Sequence, residues 1–442
     1  MRTPTSPRGI TGGTFRALWL GQTVSSVGTQ VSMVALPLIA VLALHAGPLE
    51  LGILAALETI PYLVLSLPAG VIVDRMDRRA TMIACDLGRA VALAVAGIAL
   101  ALGAASMGLL YVVAFAVGSM SVFFTVAYAS YLAVILPADQ LVAGNQRLEL
   151  SDSGARIVGA SIGGTLVALV GGAVAILIDA ASYTVSAIAL IGFGRAVDAS
   201  RPTSAGAGLP GGIGDGLRRV AGDRVLRDLA GSTAVFNLGS GMILGVIVLF
   251  ATQDVGLNAA GFGFVYGLGN VGFLLGALAV GVLTSRFGVG RSLLGSAYLS
   301  AFAMALIAVA GAGPGILLLL AGRLIGAVAA PIYNVNVLSM RQARVEDTIM
   351  GRVNGTFEFI EWGVLPLGSL LGGAVAATLG LRAALDAAAL CGILSAIWLS
   401  VSPARRLTTV SEFEADSSAV PPGVANEGGR EPDPPLVPPL AA

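Results

Sequence analysis

The sequence predicts an all-α membrane protein whose twelve transmembrane helices form two pseudo-symmetric six-helix bundles. Three observations lead there. Hydrophobic residues make up 56% of the 442-residue chain and charged residues only 11%, whereas soluble domains are about 25% charged. Twelve apolar runs are long enough to cross a bilayer, whose ~30 Å hydrocarbon core takes about 20 helical residues. The second half of the chain also repeats the first.

The runs fall at 15–43, 49–73, 80–103, 108–136, 146–170, 173–194, 226–252, 259–284, 291–311, 315–338, 352–379 and 383–402. An even number of spans puts both termini on one side. The turns on that side carry Arg75, Arg78, Arg79, Arg201, Arg218, Arg219, Arg224, Arg286, Arg341, Arg344, Arg405 and Arg406, and the opposite turns carry only Arg382. Basic residues flanking spans stay in the cytoplasm, so both termini are expected there, in a multi-pass protein of a bacterial inner membrane.

The first residues, 1–14, have no apolar core ending in a small-residue cleavage site, and read as a cytoplasmic tail. The first bundle occupies 15–195 and the second 226–404. Between them, 196–225 is rich in Gly, Pro and Arg and reads as a cytoplasmic central loop whose stretch IGDGLRRVAGDRVLRDL forms one amphipathic helix on the inner surface. The tail 405–442 is acidic and Pro/Gly-rich, too poor in apolar residues to order itself.

The repeat is direct. The segment from Asn145 to Gly171 aligns without gaps on that from Asn354 to Gly380, an offset of 354 − 145 = 209, so Glu149 meets Glu358, Asp152 meets Glu361, and Gly163-Gly164 meets Gly372-Gly373. Gly70 to Arg75 meets Gly281 to Arg286 at offset 211, and Asp179 meets Asp386 at 207. Two copies in the same orientation suit a bundle with a central cavity that alternates its access by rocking.

Several functions are excluded. A net charge of zero leaves no basic surplus for nucleic acid. The chain contains no lysine, so it lacks the lysine-bearing phosphate loop of nucleotide hydrolases. One histidine, His45, and two cysteines inside apolar runs, Cys85 and Cys391, make neither a metal site nor a disulfide framework. No cofactor and no enzymatic activity are expected.

The charges inside spans are the candidate functional residues. Glu58 lies nine residues after Leu49, about 14 Å into its helix and close to mid-membrane. An ionised acid there costs about 2.5–3.5 kcal/mol on insertion scales, so Glu58 is expected to face the cavity and carry a proton or meet a cationic substrate. A hydrogen-bonded structural acid is the alternative. Glu361 is the second cavity acid, and Arg323, which cannot lose its proton, is expected to find a carboxylate or carbonyls inside the bundle, an acid being the favoured partner. Asp86 and Arg89 stand three apart and can pair, linking the third span to a gate. Glu149, Asp152 and Arg156 form one stripe of the fifth span and read as a gate network. Asp179 and Asp386 sit at matching depths, which argues for a shared structural role. Aromatic residues of the fourth span and polar ones of the first suit a hydrophobic solute, although lipid contact explains many of them equally well.

These residues also carry a family likeness. Gly70-Val-Ile-Val-Asp74-Arg75-Met-Asp77-Arg78-Arg79 resembles the loop between the second and third spans of the major facilitator superfamily, Asp86-Leu-Gly-Arg89 its third-span signature and Asp179-Ala-Ala-Ser-Tyr183 its sixth-span signature. The chain resembles the drug:proton antiporter branch, which includes macrolide efflux proteins and the enterobactin exporter. Asp77 stands where that loop usually has glycine, and the fourth span lacks the arginine many proton antiporters carry, Arg323 being the nearest counterpart. The likeness implies a cytoplasmic gate in which Asp74 meets the start of the eleventh span, with Arg75 and Arg78 beside it; the bland reading of these charges is that they only set topology.

The resulting expectation is a monomeric secondary transporter, embedded in the lipid bilayer, that exports a hydrophobic or amphiphilic small molecule against inward protons. Export of a self-made metabolite or siderophore is a rival within transport. A non-transporting sensor or scaffold would share the helices without needing Glu58 and Glu361.

Overall fold

The computed structural model describes residues 12–137, 140–193, 212–311 and 313–406. The expected N-terminal tail up to residue 11, residues 194–211 of the central loop and residues 407–442 of the tail lie outside the described residues. The first six long helices are α1 (Gly13–Leu42), α2 (Pro48–Val73), α3 (Arg78–Ala101), α4 (Met107–Ile135), α5 (Leu141–Val170) and α6 (Gly172–Phe193). A short helix α7 (Gly212–Gly222) leads into α8 (Arg224–Leu249), α9 (Ala259–Phe287), α10 (Val289–Ala308), α11 (Gly315–Arg344), α12 (Asp347–Leu379) and α13 (Leu381–Val401). Among the described residues, 12 helices are long and apolar enough to span a membrane.

Local chemistry fixes where helices start. Asp77 caps α3 by accepting from the Ala80 N–H at 2.6 Å, Ser106 caps α4 through the Leu109 N–H, and Asn258 caps α9 through the Gly261 N–H. Each side chain satisfies a backbone donor left over by the first turn. Asp77 thus replaces the family's loop glycine with a cap. Gly171 and Gly380, an offset of 380 − 171 = 209, turn the chain between α5 and α6 and between α12 and α13 with φ of 86° and 95°, a region that favours glycine.

Both halves use the same packing. In the first, α1 lies against α5 and α6, α3 against α4 and α6, and α2 against α4; in the second, α8 lies against α12 and α13, α10 against α11 and α13, and α9 against α11. The halves join through α5 against α9 and α2 against α12. The repeated glycines make this symmetry atomic. A Cβ on Gly163 would stand 2.9 Å from the Val31 carbonyl oxygen, and one on Gly372 2.5 Å from that of Met242. Gly159 approaches Val27 as Gly368 approaches Leu238. The α1 partners therefore recur in α8 at a shift of 211, and small residues let the backbones close.

The same geometry corrects one reading of the repeat. Gly28 of α1 packs on Asp179 and Ser182, and its mate Gly239 packs on Ala388 and Cys391. The mate of Asp179 is therefore Ala388, at offset 209, and not Asp386. Asp179 is 1% exposed and accepts a hydrogen bond from Ser182 at 3.0 Å, whereas Asp386 is exposed. Two residues of register are about 200° of helix rotation, which carries Asp386 to the outer face; the two acids share no structural role.

The segment read as one amphipathic helix is broken at Asp223. Its side chain accepts from the N–H groups of Val225 and Leu226, so α7 ends and α8 begins there. Asp223 also takes Arg344 Nε at 2.8 Å, and Arg219 at 3.8 Å, with Asp223 and Arg344 both buried. The knot ties the start of α8 to the end of α11.

Candidate functional site

The halves approach most closely toward the arginine-poor ends of their helices. A Cβ on Gly164 of α5 would stand 2.6 Å from Gly263 Cα of α9, and one on Gly373 of α12 would stand 3.1 Å from Gly52 Cα of α2. Deeper in, Tyr62 of α2 stacks on Trp362 of α12 with ring centroids 4.8 Å apart and planes 18° apart. On the arginine-rich side, Glu149, Glu358 and Asp74 are exposed. The Asp74 carboxylate has no hydrogen bond or ion pair among the described residues, so the contact with the start of α12 is not made in this conformation.

Between the halves lies a cavity of about 520 Å³ of empty space, part of it continuous with solvent. It is lined by Met33 and Pro37 of α1, Leu51, Leu54, Ala55 and Glu58 of α2, Leu244, Ile247 and Val248 of α8, and Phe262 and Tyr266 of α9. Glu58 is the sole charged group of that lining. Behind it, Gly118 of α4 packs so tightly that a Cβ there would stand 2.7 Å from the Glu58 carbonyl oxygen. The α4 backbone thus fixes this turn of α2, and Glu58 borders an otherwise apolar and aromatic space. Such a space suits an apolar solute, with one acid to recognise charge or exchange a proton.

Arg323 of α11 lies beside the cavity, but not as expected. Its guanidinium carbon stands 3.9 Å over the ring of Tyr266, and its Nη2 donates to Asn270 Oδ1 at 3.3 Å. The carboxylate partner anticipated from the sequence is absent from its contacts among the described residues; a ring face and an amide take its place. Asn270 in turn donates to the Arg156 carbonyl at 2.9 Å, so this polar chain crosses from α9 to α5.

The other candidates fall into four places. Asp152 and Arg156 pair at 2.9 Å on one face of α5. Because α5 begins at Leu141, Arg156 lies about 22 Å along it, near mid-depth. Glu361 of α12 is partly buried outside the cavity lining, its backbone carbonyl accepting from Asn237 at 2.9 Å. It shares the Arg341 charge with Glu358, and Arg341 sits 4.6 Å over the Phe357 ring. Arg75 is exposed at the end of α2 and Arg78 is buried at the start of α3, whereas Arg79 donates to the carbonyls of Leu190 and Ile191 at the end of α6.

Asp86 and Arg89 pair inside the first bundle rather than between the halves. The Arg89 guanidinium is held between the rings of Phe124 on α4, at 4.4 Å, and Tyr183 on α6, at 4.2 Å. Tyr183 shares a 2.8 Å hydrogen bond with Thr29 of α1. The third-span and sixth-span signatures are therefore one buried cluster. Sequence reasoning passed over Tyr62, Trp362 and Tyr266. Their only signal was position, one turn after Glu58 for Tyr62 and adjacent to Glu361 for Trp362.

Twelve spans in two like halves around a shared cavity define a membrane transporter of the major facilitator type. The chain matches the transmembrane secretion effector family over residues 4–427, and belongs to that family. It is 31% identical over 387 residues to the multidrug efflux pump Tap of Mycolicibacterium fortuitum, covering 84% of this chain and 89% of that protein. Tap of Mycobacterium tuberculosis (strain ATCC 25618 / H37Rv) is 29% identical over 386 residues, covering 83% and 88%. Among solved structures, the nucleoside transporter NupG superposes with a TM-score of 0.70 at 13% identity, over 88% of this chain and 97% of that one. A bacterial homologue of the iron transporter ferroportin, in an inward-facing state, gives 0.69 at 16% identity over 88% and 98%. At such identities the structural likeness concerns the fold.

Proposed function

We propose that this protein exports hydrophobic or amphiphilic drug-like molecules from the cytoplasm in exchange for protons, by alternating access between its two halves. The observation that carries this reading is Glu58, a lone carboxylate in an apolar cavity that both halves line. A carboxylate in that setting is expensive when ionised, and becomes cheaper when protonated or when a cationic substrate sits beside it. Proton and substrate therefore compete for one site, which is the elementary requirement of antiport. The relatives named multidrug efflux pumps support the drug class and the export direction.

In this reading the arginine-rich ends face the cytoplasm, and the conformation described is closed toward the outside by the Gly164–Gly263 and Gly373–Gly52 contacts. Asp74 and Arg75 then meet the opposite half only when the cytoplasmic side closes. The protein acts as a monomer, without cofactor or enzymatic activity. The test is drug susceptibility and intracellular accumulation in cells with and without the gene: a transporter lowers accumulation of cationic amphiphiles in an uncoupler-sensitive way, and equal accumulation in both strains would refute the reading.

A further inference from the structure

The polar cluster inside the first bundle contains an imbalance that its packing does not resolve. Asp86, Arg89 and Asp179 are 0%, 6% and 1% exposed, and all three stand well inside membrane-spanning helices. Arg89 hydrogen-bonds to Asp86 Oδ1, reaches Ser121 Oγ at 3.5 Å, and is enclosed by the rings of Phe124 and Tyr183. Asp179 accepts from Ser182 at 3.0 Å through Oδ1 and has the Ser32 hydroxyl of α1 beside it, while the second oxygen of each acid, Oδ2 of Asp179 and Oδ2 of Asp86, is buried. Two carboxyl groups therefore share one guanidinium.

No other charge compensates among the described residues. The charge facing Asp179 is Arg89, with Asp86 behind it on α3, and its remaining neighbours are the hydroxyls of Ser32 on α1 and Ser182 on its own helix. Facing Arg89 are the ordinarily neutral Tyr183, Cys85 and, from α2, Tyr62. Helix α5, which also packs on α6, brings no charged group against Asp179 among the described residues. With both acids ionised, the sealed cluster would carry a net charge of −1 in a medium that strongly disfavours it.

We infer that this cluster holds one proton, carried by Asp179, at a site separate from the Glu58 cavity. Asp86 is the ionised partner of Arg89, since it makes the direct bond. Asp179 makes no direct bond to the guanidinium and has only the hydroxyls of Ser182 and Ser32 beside its carboxyl, the surroundings of a neutral carboxylic acid. Losing that proton puts a second anion beside a single guanidinium and draws Arg89 away from Asp86 toward α6. The α1 backbone registers the change directly, because a Cβ on Gly28 would stand 2.4 Å from Asp179 Oδ1, and Met33 and Pro37 of the same helix line the cavity. Use of this proton in transport rests on the proton-antiport reading; its presence does not.

Infrared spectroscopy of the purified full-length protein in lipid nanodiscs tests the inference through the carbonyl stretch of a protonated carboxylic acid at neutral pH. The Glu58→Gln background removes the cavity acid from the signal. A buried-acid band should be present in that background and lost on adding Asp179→Asn. Asp86→Asn should also abolish it, because Arg89 then has Asp179 as its sole carboxylate and ionises it; this second variant carries the test if the first fails to fold. A missing band in the Glu58→Gln background, or one that survives both substitutions, would overturn the stored proton. Substrate-driven proton movement in wild-type proteoliposomes is read separately: its absence would defeat the antiport reading while the infrared band still decides whether Asp179 holds a proton.

Discussion

Gly164 and Gly263 meet backbone to backbone across the two halves, and Gly373 and Gly52 repeat that meeting on the other side of the molecule. Each pair is the image of the other under the internal repeat. The contact that closes one end of the cavity is therefore built from residues too small to be replaced without parting the halves.

Gly164→Val and Gly373→Val are each expected to hold those ends apart. Overpacking of this kind costs about 1–3 kcal/mol, enough to shift a two-state equilibrium roughly 5- to 150-fold. Transport should fall accordingly while the protein still elutes as a single species, and spin labels at the arginine-poor ends of α2 and α12 should report a longer distance. Wild-type transport by both variants would show that the contact is dispensable.

Trp362→Ala removes the ring that stacks on Tyr62 across the halves. Aromatic pairs of this geometry contribute about 0.5–1.5 kcal/mol beyond burial. The population of this conformation should fall by roughly two- to twelvefold, read as interspin distances between α2 and α12, with Trp362→Phe recovering most of it and an unchanged distribution contradicting a role for the stack.

Asp223 both caps α8 and pairs with the buried Arg344. Removing one partner of a buried pair costs about 3–5 kcal/mol, so Asp223→Ala and Arg344→Ala should each lower thermal stability far more than Arg224→Ala at an exposed position. The pair should also be non-additive, the double variant losing little more than either single one. Additive losses would mean that the two residues act independently.

Arg323→Lys tests whether the guanidinium plane, rather than charge alone, matters beside the cavity. A lysine keeps the charge but loses the flat stacking on Tyr266 and the aligned donor to Asn270. Transport is expected to drop several-fold, in line with about 0.5–2 kcal/mol for a partly desolvated cation–π contact. Unchanged kinetics would make the stack incidental.

Hydropathy made the spans legible because each apolar stretch reports its own burial in lipid. It underestimated helices that continue past the hydrocarbon: α5 starts at Leu141 rather than 146, and α11 runs on to Arg344 rather than ending at 338. Polar helical turns there satisfy their backbone internally, and apolarity gives no sign of them. Glu58 was legible for a related reason, since a lone acid at mid-depth is costly wherever it points.

What sequence could not supply was helix rotation. Asp386 aligns as the mate of Asp179, and a shift of two residues puts it on the outer face instead. For Arg323 a carboxylate partner is the common solution, whereas Tyr266 and Asn270, both on α9, supply the contacts. Asp86 and Arg89 are readable as a pair at i, i+3, but the two rings that enclose the guanidinium come from α4 and α6. Contacts of that kind depend on how three helices face one another, which no single stretch encodes.

The most direct measurement is substrate-driven proton movement in proteoliposomes containing wild-type protein or Glu58→Gln. The wild type should acidify or alkalinise the lumen on substrate addition, and Glu58→Gln, correctly folded and inserted, should lose that signal. Proton movement by Glu58→Gln equal to the wild type would contradict the assignment of Glu58 as the acid at which proton and substrate compete.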